Sequence, residues 1–149
     1  MKKFLYMLII LSVTTSILAE RPLFIFNHVY NKTHKEIIFK THDKELFRIQ
    51  PNASQKINQV IPEKLFIGYV HEASPKLVMV CDKLHILGGA RCSLSTDVDG
   101  KSNYTEIISE DKYPASRVLG KAGIIVDIVI QGNNLEQSEI EFATALVKK

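Results

Sequence analysis

The chain lacks the sequence motifs that identify common classes of enzyme. It contains no GxSxG elbow, no Walker loop, no HExxH motif and no glycine-rich dinucleotide-binding turn. Its five histidines show no metal-ligand spacing; they are His28, His34, His42, His71 and His85. The sequence therefore gives no specific argument for catalysis and none for a bound cofactor.

A large excess of one charge is also missing. The full chain has 19 basic and 16 acidic residues, a net charge of +3. Without Lys2 and Lys3, which belong to an expected signal peptide, seventeen basic residues face sixteen acidic ones and the net charge falls to +1. Binding to nucleic acid or to anionic lipid depends on clustered Lys and Arg. We therefore expect neither as a partner.

The first nineteen residues have the layout of a secretory signal peptide. Lys2 and Lys3 precede an apolar stretch, Phe4 to Leu18, and the small residue Ala19 follows where cleavage is expected. The stretch is too short and too rich in Ser and Thr to favour a membrane span. Ile17 stands where a small residue is usual, so an uncleaved anchor is the alternative interpretation.

We expect residues 1–19 to be removed and the rest of the chain to be exported, either to a periplasm or beyond the cell. The Met-Lys-Lys start is typical of a bacterial protein. No later stretch is long and apolar enough to span a membrane. Residues 20–149 have the length of a single domain, with enough apolar residues for a core and no internal repeat.

Short apolar or alternating segments separated by polar turns predict an all-β domain. We expect a single antiparallel β-sandwich, immunoglobulin-like or related, with about seven to nine strands. The clearest segments are 23–30, 36–41, 46–50, 55–61, 65–71, 77–81 and 124–130. Residues 134–149 fit either a strand or a short C-terminal helix, and the β character of the rest favours a strand.

Cysteine is rare, and the two residues present, Cys81 and Cys92, do not form a CxxC redox motif. In an exported protein an even count predicts a disulfide, with free buried thiols as the alternative. If the two cysteines face each other across a hairpin, the loop between the strands is His85, Ile86, Leu87 and Gly88. The glycines at 88 and 89 supply the backbone freedom that such a loop needs.

The stretch "STDVDGKSNYTE", residues 95–106, has two interpretations. As a hairpin, Asp99-Gly100 occupies the centre of a tight turn. Leu94 then faces Thr105 and Cys92 faces Ile107, which sorts apolar from polar side chains across the pair.

The same stretch resembles an EF-hand loop only in part, because Ser95 and Ser102 replace the expected acid and apolar residue and the flanks are not helical. A calcium site of another kind at a sheet end is the alternative. Its oxygen ligands would be Asp97, Asp99, Asn103 and Glu106.

Asp127 lies inside the most apolar segment, residues 124–130. A buried, unpartnered carboxylate is costly and can mark a functional site. The simpler interpretation places Asp127 on the more exposed face of a strand, together with Ile125 and Val129.

Three Asn-x-Ser/Thr triplets begin at Asn31, Asn52 and Asn103, and all lie at or near predicted turns. They would be glycan sites in a eukaryotic secretory pathway. Asn, Ser and Thr also favour turns for structural reasons, which is the simpler interpretation in a bacterial protein.

These features favour a non-enzymatic binding module that recognises a protein or a glycan through loops and sheet edges. The candidate binding residues are His85, Ile86, Leu87, Gly88, Asp97, Asp99 and Asn103. One rival hypothesis is a small hydrolase of envelope polymers, with Asp127 or the cluster of Asp97, Asp99 and Glu106 as its carboxylates. Another is a structural or assembly subunit that pairs through its edge strands.

The hairpin interpretation predicts that calcium does not change the melting temperature of residues 20–149. Thermal melts in EDTA and in millimolar calcium measure this directly. A bound ion at 100 times its dissociation constant would add about 2.7 kcal/mol to the free energy of unfolding and raise the midpoint by several degrees. Such a rise, abolished by Asp97→Ala or Asp99→Ala, would establish the calcium interpretation instead.

Overall fold

The computed structural model describes residues 24–82, 89–96, 104–118 and 123–147. These residues form ten strands and one short helix. The number of strands is slightly larger than the seven to nine that we expected. The strands are β1 (Phe24–Asn31), β2 (Ile37–Lys40), β3 (Glu45–Ile49), β4 (Ala53–Val60), β5 (Lys64–Tyr69), β6 (Leu77–Asp82), β7 (Arg91–Ser95), β8 (Thr105–Ile108), β9 (Gly123–Ile130) and β10 (Ile140–Val147), and the helix α1 is Ala115–Val118.

The strands form two sheets that pack face to face, so the predicted all-β sandwich is confirmed. One sheet has the order β10-β9-β1-β4 and the other has the order β3-β2-β5-β6-β7-β8. Among the described strands, β1 and β9 form the one parallel pair in an otherwise antiparallel arrangement. The chain builds all six strands of the second sheet between these two strands, and a long crossover of this kind permits parallel pairing. No helix in the described part is long and apolar enough to cross a membrane.

Three phenylalanine rings join the two sheets in the core. Phe26 on β1 meets Phe39 and Phe47 edge to face, with ring centroids 5.8 Å and 5.4 Å apart. Phe39 and Phe47, on the opposite sheet, stack at 4.6 Å. Aromatic pairs of this geometry contribute about 0.5–1.5 kcal/mol beyond the burial of their area. These contacts help to fix which faces of the sheets meet.

The predicted cysteine pairing is present. Cys81 on β6 lies directly opposite Cys92 on β7, and the two sulfur atoms lie at disulfide distance. The next pair along the ladder is Asp82 and Arg91, whose side chains form an ion pair at 2.6 Å between Oδ2 and Nη2. Residues 83–88, which include the predicted loop, lie outside the described part.

The register of β7 and β8 agrees with the prediction at one end only. Leu94 faces Thr105 as expected, but the predicted pairing of Cys92 with Ile107 is wrong. Ile107 is an extra residue in β8, so Cys92 faces Ile108 instead. The irregularity turns Ile108 into the core, where it is fully buried, and leaves Ile107 half-buried. The flanks of "STDVDGKSNYTE" are therefore strands, as the hairpin interpretation requires.

The C-terminal segment is a strand, as predicted. A 3₁₀ turn, Gln137–Glu139, precedes β10 and carries a capping box formed by Glu136 and Glu139. From there the inner face of β10 carries Ile140, Phe142 and Leu146.

Removal of the disulfide should lower the free energy of unfolding by about 3 kcal/mol, because the bridge closes a loop between cysteines separated by 11 positions. The double variant Cys81→Ala, Cys92→Ala can be compared with the wild type by urea unfolding followed by circular dichroism. A reductant should destabilise the wild type by a similar amount and leave the double variant unchanged. A difference below about 1 kcal/mol would show that the bridge contributes little.

Candidate functional site

Most of the site residues proposed from the sequence lie outside the described part of the chain. These are His85, Ile86, Leu87, Gly88, Asp97, Asp99 and Asn103. Glu106 is described and lies exposed on β8, opposite Ser93 of β7. The loop-tip and calcium hypotheses therefore stay predictions.

The described residues form a polar depression at one end of the sandwich. It has a volume of about 350 Å³. Three segments supply its walls: the turn between β1 and β2, the turn between β3 and β4, and the end of β5 with the residues after it. The lining residues are His34, Lys35, Glu36, Gln50, Pro51, Tyr69, His71 and Glu72.

The buried side chain of Asn31, at the end of β1, holds two of these walls together. Its amide nitrogen Nδ2 donates to the carbonyl oxygens of Lys35 at 2.8 Å, Ile49 at 3.1 Å and Gln50 at 3.1 Å. Asn31 is 1% exposed, so these bonds replace water that the amide has lost. The side chain thereby ties the four-stranded sheet to both turns that border the depression.

Thr33 completes this network from the other side. Its backbone N and its Oγ1 both donate to Asn31 Oδ1, at 3.0 Å and 2.7 Å. Lys35 N in turn donates to Thr33 Oγ1 at 3.2 Å. Asn31 and Thr33 of this triplet therefore have a structural role, since both side chains are buried and hydrogen-bonded within the protein. Asn52, which begins the second triplet, is exposed in a turn with φ of 54°.

An ion-paired cluster forms the wall that follows β5. The Glu72 carboxylate forms ion pairs with Lys76 Nζ at 3.0 Å and with Lys35 Nζ at 3.5 Å. The Lys35 ammonium also lies 4.5 Å from the centroid of the Tyr69 ring. The hydrogen bond from Lys76, together with the charges of both lysines, holds the pKa of Glu72 below its ordinary value. Glu72 therefore stays ionised at neutral pH.

The Tyr69 phenol anchors this wall to the opposite sheet. Its hydroxyl donates to the carbonyl oxygen of Asn133 at 2.9 Å. Burial raises the pKa of Tyr69, and the carboxylates of Glu139 and Glu72 raise it further. The phenol therefore stays protonated and keeps its role as a donor across the neutral range.

Glu139 orders the turn that presents Asn133. Its carboxylate accepts from the backbone nitrogens of Asn133, Asn134 and Glu136, at 3.2 Å, 3.1 Å and 3.1 Å. These donors, that of Glu136 foremost, lower the pKa of Glu139. Gly132, with φ of 79°, lies so close to this carboxylate that a Cβ atom would collide with it. The turn between β9 and β10 is thus built around one ionised side chain.

Asp127 lies on the half-buried outer face of β9, the position that the simpler interpretation predicted. Asn27 and His28 of β1 together face Asp127 alone, so β1 carries one extra residue at this point. Asp127 Oδ1 accepts from Asn27 Nδ2 at 2.8 Å and from the backbone nitrogen of His28 at 2.9 Å. The carboxylate thus accepts a hydrogen bond from a backbone N–H group at the β-bulge of β1. We therefore assign Asp127 a structural role.

The residues of the depression were not singled out by the sequence. His34 and His71 are far apart in the chain and have no motif spacing, and only the turns around Asn31 and Asn52 were expected. In the described part of the chain, no three His, Cys, Asp or Glu side chains come together as a metal site. The depression instead combines ion-paired charges with exposed imidazole rings, an arrangement suited to binding a polar group.

No family model matches this chain, and neither the curated proteins nor the solved structures include a significantly similar one.

Asn31→Asp should destabilise the protein by about 3 kcal/mol or more, because it removes an amide that serves three carbonyl oxygens and places an acid among them. Urea unfolding measures the change. Asn52→Asp is the matched control, since Asn52 is an exposed turn residue whose conformation Asp also adopts. The control should stay within about 0.5 kcal/mol of the wild type. Equal effects at both positions would contradict the role assigned to the Asn31 amide.

Proposed function

We propose that this protein is an exported, non-enzymatic binding module that recognises a protein or glycan partner outside the cytoplasm. The observation that carries the proposal is the depression, which is lined mainly by charged and polar residues and two of whose walls are joined by the buried hydrogen bonds of Asn31. The apparent signal peptide and the cysteine pair at disulfide distance support export, because disulfides persist in oxidising compartments.

The size and lining of the depression favour a small polar group as its occupant. At about 350 Å³ it lies at the lower end of the range for small-molecule sites. Its rim offers the exposed His34 and His71, together with the ammonium group of Lys35. One unit of a glycan, or one polar side chain of a protein, fits both the volume and the hydrogen-bonding character.

A carboxylate-based hydrolase is supported less well by the same contacts. Glu36 and Glu72 both line the depression, and hydrolysis of a glycosidic bond needs one carboxyl group that is protonated and one that is ionised. Glu36 accepts a hydrogen bond from Gln50 Nε2 at 2.6 Å, while the lysines keep Glu72 ionised. The Asp127 carboxylate already accepts hydrogen bonds from Asn27 and from the backbone of His28. These contacts favour recognition over proton transfer.

Residues 20–149 should bind a subset of an array that carries envelope oligosaccharides, host oligosaccharides and purified extracellular proteins. For a probe that binds, Lys35→Ala and His71→Ala should each weaken the affinity by up to about tenfold, the loss expected for one hydrogen bond. Lys56→Ala, an exposed change on β4 outside the depression, should alter it less than twofold. Isothermal titration calorimetry measures all four affinities.

Chromatography of the bound oligosaccharide after long incubation separates binding from hydrolysis. Recovery of the intact probe supports a binding module, whereas new reducing ends would support the hydrolase. Equal affinities in the wild type, Lys35→Ala and His71→Ala would remove the depression as the site.

A further inference from the structure

The sandwich has four edge strands, and they differ in how well they are protected against pairing with another chain. In the described part, β4 and β10 border one sheet, while β3 and β8 border the other. An edge strand presents unpaired backbone donors and acceptors, and natural proteins usually shorten, bend or charge such strands.

Within the described residues, three of the edge strands carry an irregularity in their pairing with the adjacent strand. β4 has Ile57 and Asn58 opposite Asn27 alone, with Asn58 at φ of 52°. β3 has Leu46 as an extra residue opposite β2, and β8 has Ile107 as an extra residue opposite β7. Bulges of this kind bend a strand and disrupt the line of free backbone groups.

Charge and length add to this protection. β4 carries Lys56, and β3 carries an ion pair between Arg48 and Glu45 at 2.6 Å. β8 is only four residues long. Lysine, charge and short length are devices that discourage edge pairing.

Within Ile140–Val147, β10 itself has none of these devices except one charge, although Lys112 Nζ reaches it from outside the strand and lies 3.3 Å from Thr144 Oγ1. All eight of its residues pair one for one with β9, from Ile140 with Ile130 to Val147 with Gly123. Its sequence, IEFATALV, contains Glu141 as its single charged residue. Ala143 and Ala145 are exposed on the outer face, while Phe142 and Leu146 on the inner face are only half-buried. β10 is therefore a long, regular and largely apolar edge.

We propose that β10 is a dimer interface at which a second copy of this chain adds its own β10 in antiparallel register about a two-fold axis through Ala143. The two four-stranded sheets then join into one sheet of eight strands. This surface is separate from the depression and does not depend on the function proposed for it.

The strand is self-complementary in this register. Ile140 faces Leu146 of the other copy, Phe142 faces Thr144, and Ala143 faces itself. Inner side chains meet inner ones and outer side chains meet outer ones, as a continuous sheet requires. The two Glu141 carboxylates stand four positions apart along the pair, about 13 Å, which exceeds the screening length of about 8 Å at physiological ionic strength. A two-fold pairing of identical surfaces is also the commonest form of protein dimer.

The register makes a sharp prediction at Ala145, which would face Glu141 of the second copy. Ala145→Lys should tighten the dimer and Ala145→Glu should loosen it, because the new side chain meets a carboxylate across the interface. Within one copy both variants face the same residue, Ile125. Each contact occurs twice in the dimer, so the dissociation constant should change between about twofold and thirtyfold in each direction.

Sedimentation equilibrium of residues 20–149 over a wide concentration range measures the dissociation constant. Ser54→Lys and Ser54→Glu, exposed changes on the bulged edge β4, are the matched controls for net charge and should leave it unchanged. Thermal melts verify that every variant is folded. A strictly monomeric wild type would overturn the proposal, as would equal responses to Ala145→Lys and Ala145→Glu or dissociation caused by the Ser54 variants alone.

Discussion

The buried amide of Asn31 joins three segments of the chain at one end of the sandwich. A side-chain amide left without partners in an apolar interior costs roughly 2–7 kcal/mol, whereas each hydrogen bond that is made contributes a net gain of only about 1 kcal/mol. The network around Asn31 and Thr33 is therefore stable as a complete unit and costly when partly formed. Because this unit spans the end of β1, the turn before β2 and the end of β3, it fixes the local position of one sheet against the other.

The same physical logic recurs at two other places, where a carboxylate serves backbone donors. Asp127 accepts from His28 N where β1 carries an extra residue, and Glu139 accepts from three backbone nitrogens of the turn before β10. Leu135 adopts φ of 58° within that turn while its side chain is buried. A positive φ is unfavourable for leucine, and the bonds to Glu139 on both sides of it help to hold the backbone there.

The sequence predicted what depends on local pattern and missed what depends on long-range contact. The segment predicted at 46–50 corresponds to β3, which buries Phe47 and Ile49, and the expected pairing of Cys81 with Cys92 gave the register of β6 and β7 correctly. The pairing of Cys92 with Ile107 was wrong because a bulge inserts one residue, and no local pattern in β8 signals it. The parallel pairing of β1 with β9 also depends on the path of the chain through the whole second sheet.

The candidate site shows the same division. The turn that begins at Asn31 could be predicted, because Asn and Thr favour turns. The contacts of this turn with Gln50 and Glu72 could not be predicted, because Gln50 follows β3, Glu72 follows β5 and the two share no motif. Asp127 was recognised from the sequence as unusual, and its burial was expected to be partial. Its bonds to β1 depend on the bulge, which only the fold reveals.

The polar residues of this protein separate into those that the fold uses and those that it leaves available. Asn31, Thr33, Asp127 and Glu139 are occupied by internal hydrogen bonds, so a ligand would have to compete with the fold for them. His34 and His71 are exposed around the depression and lie outside these networks. Recognition at the described surface is therefore expected to depend on residues whose replacement leaves the fold intact.

The position of the depression gives the proposed dimer a functional consequence. β10 begins at the end of the sandwich where β1 stops, because Ile130 of β9 pairs with both Asn31 and Ile140. The depression lies at this same end, beside Asn31. A two-fold axis across β10 would place the two depressions at opposite ends of the joined sheet. Sites that face away from each other cannot bind one flat surface together, so such a dimer would bridge two partners rather than gain avidity for one.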